Sequence, residues 1–115
     1  MELEIRNLGA ADEVKEIEKG RFELASVAGL TVGRATYEPG WRWSEHVGAA
    51  RGQRSCAVEH VILVLSGRMR IAMDDGREVD VGPGDLCAVP PGHDAWVLGD
   101  EPYVSLHFAG AQDYV

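Results

Sequence analysis

The sequence predicts an all-β protein of roughly eight to ten antiparallel strands packed as two sheets. Three observations predict it. Apolar and polar residues alternate along most of residues 21–108. Glycine and proline interrupt the alternation about every 8 to 12 residues, at Pro39-Gly40, Asp75-Gly76, Pro83-Gly84 and Pro91-Gly92. The stretch from Arg68 to Val81 has the signature of a hairpin, with Asp74-Asp75-Gly76 supplying the turn residues.

Taken in order, residues 1–20 form an N-terminal arm or a short helix. ADEVKEIEK carries Val14 and Ile17 three apart and stops at Gly20, but a helix so short is marginal, and an extended arm is the other option. Residues 21–115 form a single domain. RFELASV alternates with Phe22 and Leu24 on one side, Ala28-Gly29 turns the chain, and LTVGRATY resumes the pattern through Leu30, Val32 and Ala35. VEHVILVLSG is rich enough in apolar and β-branched residues to predict a strand buried on both faces. Met69, Ile71 and Met73 alternate in the hairpin and Val79 and Val81 continue it. LCAVP runs into PPGHDAW, and VSLHF closes the fold with Val104, Leu106 and Phe108 on its inner face and His107 out of step.

Composition narrows the function. The 115 residues are enough for one core and too few for two. Nineteen acidic residues against eleven basic give a net charge of −8, which disfavours nucleic acid and anionic membranes as partners and leaves small molecules or proteins. No apolar run approaches the roughly 20 residues a membrane helix needs. The acidic start Met1-Glu2-Leu3-Glu4 is unlike a signal peptide, so a cytoplasmic location is expected. Cys56 and Cys87 fit a reducing compartment as free thiols. VILVL, apolar on both faces, and the Trp41 and Trp43 face need more cover than one small barrel provides, which predicts a homodimer.

The spacing of glycines and histidines adds a resemblance. Gly40 is followed by five residues and His46, His60 by six residues and Gly67, and Gly84 by five residues and Pro90-Pro91-Gly92. This layout resembles the cupin superfamily over roughly residues 30–108, which implies an antiparallel double-stranded β-helix, or jelly-roll barrel. The runs WRWSEH, SC, VLSGRM, MDDG, GPGD and PPGHDAW are similar to a subset of small bacterial cupins that keeps a histidine at the place of His60. In the family, a first motif supplies two histidines and a glutamate to a metal, and a second supplies one histidine. Here His46 fits the first histidine and Gly48 stands at the second. Counted back from Gly67, His60 replaces the glutamate and Cys56 takes the second histidine's place. In the second motif Ala95 stands at the histidine position, with His93 two residues early.

The resemblance therefore implies metal ligands among His46, Cys56, His60 and His93. Imidazole with one thiolate suits zinc, nickel, iron or copper. Each candidate also has an ordinary reading: a surface strand end for His46, a buried inert thiol for Cys56, a hydrogen-bonded core residue for His60, a stiff corner for His93. His60 and His93 are the candidate catalytic bases, and Asp94 could orient the His93 ring. Trp96 could close the pocket over a ligand, and Arg42 is the candidate for a carboxylate, with Arg34 and Arg70 as alternatives. Trp41 and Trp43 share the face opposite His46, which favours core packing or an interface. Cys87 is read as core.

The expected function is a small cupin that binds one divalent metal and a small, anionic metabolite in the barrel, with a metal-dependent enzyme of lyase, isomerase or oxygenase type favoured over a binding module. A site without the usual glutamate carries more positive charge and favours an anion. A metal-free ligand-binding or sensor module is the alternative, as is a metal-independent enzyme using a histidine as general base.

Overall fold

In a computed structural model, which describes residues 2–111, nine strands form two antiparallel sheets. They are β1 (Glu13–Ile17), β2 (Gly20–Val27), β3 (Leu30–Tyr37), β4 (His60–Ser66), β5 (Arg68–Met73), β6 (Glu78–Val81), β7 (Leu86–Val89), β8 (His93–Leu98) and β9 (Tyr103–Ala109). The larger sheet runs β1-β2-β3-β9-β4-β7 and the smaller β6-β5-β8. Two single bridges, Arg42 to Trp96 and Cys56 to His93, widen the smaller sheet beyond β8. The sheets face each other as a jelly roll. Their inner faces bury Phe22, Tyr37, Trp41, Trp43, Val64 and Met69, among others.

The turn chemistry places most elements where the sequence predicts them. The hairpin of β5 and β6 pairs Met69 with Val81 and Ile71 with Val79, closed by Gly76 at φ +94°. Gly67 joins β4 to β5 at φ +74°, and a side chain there would collide with the Pro102 carbonyl and the Tyr103 backbone.

Of the two options for the N-terminal segment, residues 13–17 take the extended one as β1, because the β2 edge offers backbone partners that so short a helix lacks. Several expectations are corrected. The apolar run at residues 58–66 becomes β4 with only its inner face closed. His60, Ile62 and Val64 are buried there, while Leu65 is exposed.

In β9 the faces are the reverse of the expectation. Tyr103, Ser105 and His107 point inward, and Val104, Leu106 and Phe108 point outward. Alternation fixes which residues share a face but not which face is buried. Here polar residues go inside because they bond one another. Residues 44–51 are helical rather than extended, a wide turn at Ser44–Gly48 continued by Ala49–Arg51. Trp41 and Trp43 are both in the core. Trp41 stacks on Tyr37 with 3.8 Å between ring centroids, and Trp43 packs on Gly48. They cover no interface.

Candidate metal centre

Cys56, His60 and His93 meet inside the barrel. One ligand atom from each lies within 4.8 Å of the others, and all three residues are buried. Three elements bring them together. Cys56 bridges to the first residue of β8, its N–H donating to the His93 carbonyl at 2.6 Å, while the Gly92 N–H donates to the Cys56 carbonyl at 2.8 Å. His60 opens β4 on the same inner face as Ile62 and Val64. Its Nε2 lies 3.4 Å from Cys56 Sγ.

The protonation states suit metal binding. His93 Nδ1–H donates to the Pro90 carbonyl at 2.7 Å, which fixes the tautomer and leaves Nε2 with its lone pair. Burial holds His93 below its usual range, with the Pro90 hydrogen bond opposing. Burial, and then the neighbouring His93, push His60 down to about 3. Both rings are therefore neutral at pH 7, the form that ligates. Burial pushes the Cys56 thiol up, so it releases its proton readily only when a cation takes its place on the sulfur. Tetrahedral bonds of about 2.0–2.3 Å put donors roughly 3.3–3.8 Å apart. Cys56 Sγ and His60 Nε2 already meet this at 3.4 Å, so the set fits a divalent ion with a small inward shift of the more distant donors.

A second polar group adjoins the cluster. Ser105 hydrogen-bonds His107 Nε2 at 3.0 Å and also bonds Tyr103. The His107 ring meets His60 edge to face at 5.7 Å between centroids. Burial and then His60 push His107 down to about 3, and burial raises Tyr103 to about 12, so both are neutral. The cavity among His60, His93, Tyr103, His107 and their apolar neighbours holds only about 20 Å³, room for one water-sized group.

The other predicted residues lie elsewhere. His46 sits in the helical turn, where its Nδ1 accepts the Arg42 N–H at 2.9 Å, and it is not one of the clustered donors. The local helix rotated it away from the direction a regular strand would give. Asp94 and Trp96 are on the opposite face of β8 from His93, so Asp94 does not orient the His93 ring. Asp94 instead accepts from Arg42 Nε at 3.0 Å, from the Ser44 N–H at 2.9 Å and from Ser44 Oγ at 2.8 Å. The Arg42 guanidinium lies 4.3 Å over the Trp96 ring. These three residues clasp the 42–44 segment to β8 and do not line the inner cavity. Arg34 is engaged by Glu23 and Arg70 by Asp80. Cys87 is half-buried and faces inward beside Ile62.

Sequence reasoning missed Tyr103, Ser105 and Gly110. The signal for the first two was present: Tyr103, Ser105 and His107 share one face and can bond in series. Gly110, at φ +77°, lies against His60. A side chain there would strike the Glu59 carbonyl and lie 3.1 Å from His60 Nδ1.

The cupin-domain family model matches residues 33–108, most of the chain. The protein belongs to the cupin family. Among solved structures, one from Rhizobium leguminosarum bv. viciae 3841, of unknown function, is similar at 22% identity and TM-score 0.65, covering 93% of this chain and 95% of its own. The polyketide cyclase RemF from Streptomyces resistomycificus is similar at 17% identity and TM-score 0.66, covering 96% of this chain and 80% of its own. Oxalate decarboxylase from Lactobacillus farciminis is similar at 19% identity and TM-score 0.63, with 99% of this cupin matching 36% of that chain. These likenesses establish the fold. No curated protein matches the sequence.

Within the cupin frame, counting back from Gly67 identifies two of the clustered residues, Cys56 and His60. His93 joins them from two residues before the place its motif assigns. Ala95, at that place, lines the same cavity farther along β8.

Proposed function

We propose that this cupin binds one divalent transition metal through Cys56, His60 and His93 and acts as a metal-dependent enzyme on a small molecule. The observation that carries the reading is the His93 Nδ1–H bond to Pro90, which leaves a neutral imidazole with its free nitrogen beside His60 and the Cys56 thiol. Zinc, nickel, iron and copper all suit two imidazoles and a thiolate. A bound ion would act as a Lewis acid toward a carbonyl or a water, or toward dioxygen if it is iron. Beside it, His107 Nε2, Ser105 Oγ and Tyr103 form a hydrogen-bonded series that would fix the orientation of a group bound in the cavity.

The charge argument for an anionic substrate loses its premise in this arrangement. A Cys56 thiolate, at the second histidine's place, restores the single negative charge lost where His60 stands in place of the glutamate. The inner cavity admits only the reacting end of a substrate.

We also propose a homodimer that covers the outer face of the six-stranded sheet. Leu30, Leu65 and Leu86 are exposed there, Leu86 to 69%. A cytoplasmic setting agrees with two free thiols; among the described residues no helix is long and apolar enough to cross a membrane.

The test is the metal content of protein purified without a histidine tag, beside His60→Ala. One metal per chain, lost in the variant, supports the reading. Metal-free protein whose stability His60→Ala leaves unchanged overturns it in favour of a metal-free binding module.

A further inference from the structure

The two sheets do not meet along one seam. Between the free edges of β6 and β7 lies a groove of about 450 Å³, within the range of small-molecule sites. Its walls are Ile71, Met73 and Val79 on one side and Cys87 and Val89 on the other, with Pro90 at one end. Val79 shows that the seam is unfilled. It pairs with Ile71 across β5 and β6 and so shares its inward face, yet Val79 is 51% exposed and Ile71 only 3%. Half of its surface stays open to the groove.

The strand register ties this groove to the metal centre. Met73 is the cross-strand partner of His93, and Val89 is the partner of His60. Partners across a ladder share a face, so each cluster histidine has a groove residue as its immediate neighbour. Ile71 and Val89 line both the groove and the inner cavity. A molecule in the groove is thus separated from the cluster by one layer of side chains.

Charge selects the occupant. The one cation on the groove, Arg77, is engaged by Asp75 at 2.7 Å, and Glu78 stands beside it on the rim. Asp74 and Asp75 lie next to it around Pro90 and Gly92, and the chain carries −8 overall. An anion gains nothing there and is repelled.

We propose that this seam is a binding site for an uncharged, largely apolar small molecule, which enters between β6 and β7 and directs its polar end at the Ile71 and Val89 layer that borders the metal centre. The proposal deepens the metal-enzyme reading by naming its substrate class and rests on that reading for any chemistry. Occupancy of the groove itself needs no metal.

Two fluorescent probes of one shape test it on the full-length protein. N-phenyl-1-naphthylamine is neutral, and 8-anilinonaphthalene-1-sulfonate adds a negative charge. The neutral probe is expected to bind one per chain, and the sulfonate about tenfold more weakly or less. Val79→Trp fills the groove from one wall and Cys87→Phe from the other. Each is expected to abolish binding of the neutral probe while the metal bound per chain stays as in the wild type. Circular dichroism and urea unfolding confirm that at least one variant is folded. Equal binding of the two probes overturns the proposal, as does unchanged neutral-probe binding in a folded variant. A metallated wild type that binds no probe overturns the groove alone. A metal-free wild type that binds the neutral probe, and loses it in the variants, supports the groove while overturning the metal reading.

Discussion

Cys56 Sγ lies 3.4 Å from His60 Nε2, and the same cysteine bridges through its backbone to His93. One short stretch of backbone thus brings together the thiol and both imidazoles. If the three hold a metal, Cys56→Ser should remove more affinity than the roughly 10–100-fold typical for loss of a group that merely orients a ligand. Cobalt substitution gives a direct check. The wild type should show thiolate-to-cobalt charge-transfer absorption and Cys56→Ser should not. An identical spectrum in the variant would exclude the thiol as a ligand.

Metal-free protein should lose stability in acid, with a sign set by two histidines. His60 and His107 titrate at about 3 when folded, against 6.5 as the ordinary value. The unfolded chain takes up protons first, so the stabilising contribution is full above pH 6.5 and is lost as the pH falls toward 3. The slope is about 1.4 kcal/mol per pH unit for each histidine over that interval. Urea unfolding at pH 7, 6 and 5 measures it. His107→Asn should make the dependence shallower, and a slope of equal steepness would show that His107 is not held neutral.

Gly110→Ala should damage both fold and site. A left-handed backbone costs a residue with a side chain about 1–2 kcal/mol, and the added methyl has no room beside Glu59 and His60. Lower stability with weaker metal binding is expected from calorimetry and metal titration. Wild-type behaviour in both would mean that the segment relaxes freely.

The Arg42–Asp94 pair predicts an effect on stability without one on the metal. Asp94→Ala removes the acceptor of the Ser44 N–H and the carboxylate partner of the part-exposed Arg42, at a cost of about 1 kcal/mol. Metal content should stay at the wild-type level. Metal loss with unchanged stability would instead return Asp94 to the site.

The proposed dimer is checked by light scattering. The mass should be twice the 12.5 kDa of the chain. Leu86→Arg, on the exposed outer face, should shift it toward the monomer at micromolar concentration.

The sequence by itself determined the fold class. Pro39-Gly40, Asp75-Gly76 and Pro83-Gly84 set the turns, and the alternation between them set the strands, because both signals are local. It also pointed to Cys56 and His60, through the resemblance of the spacing before Gly67 to the first cupin motif. Only the tertiary structure decided which face of β9 is inside, because a period of two is the same read from either side. It placed Tyr103, Ser105 and His107 in the barrel, where bonds among themselves offset the loss of water. It turned His46 out through a helical turn that no alternation reveals, and it brought His93 to Cys56 through a bridge between residues 37 positions apart. The site is made of long-range pairings, and those exist only once the sheets have closed.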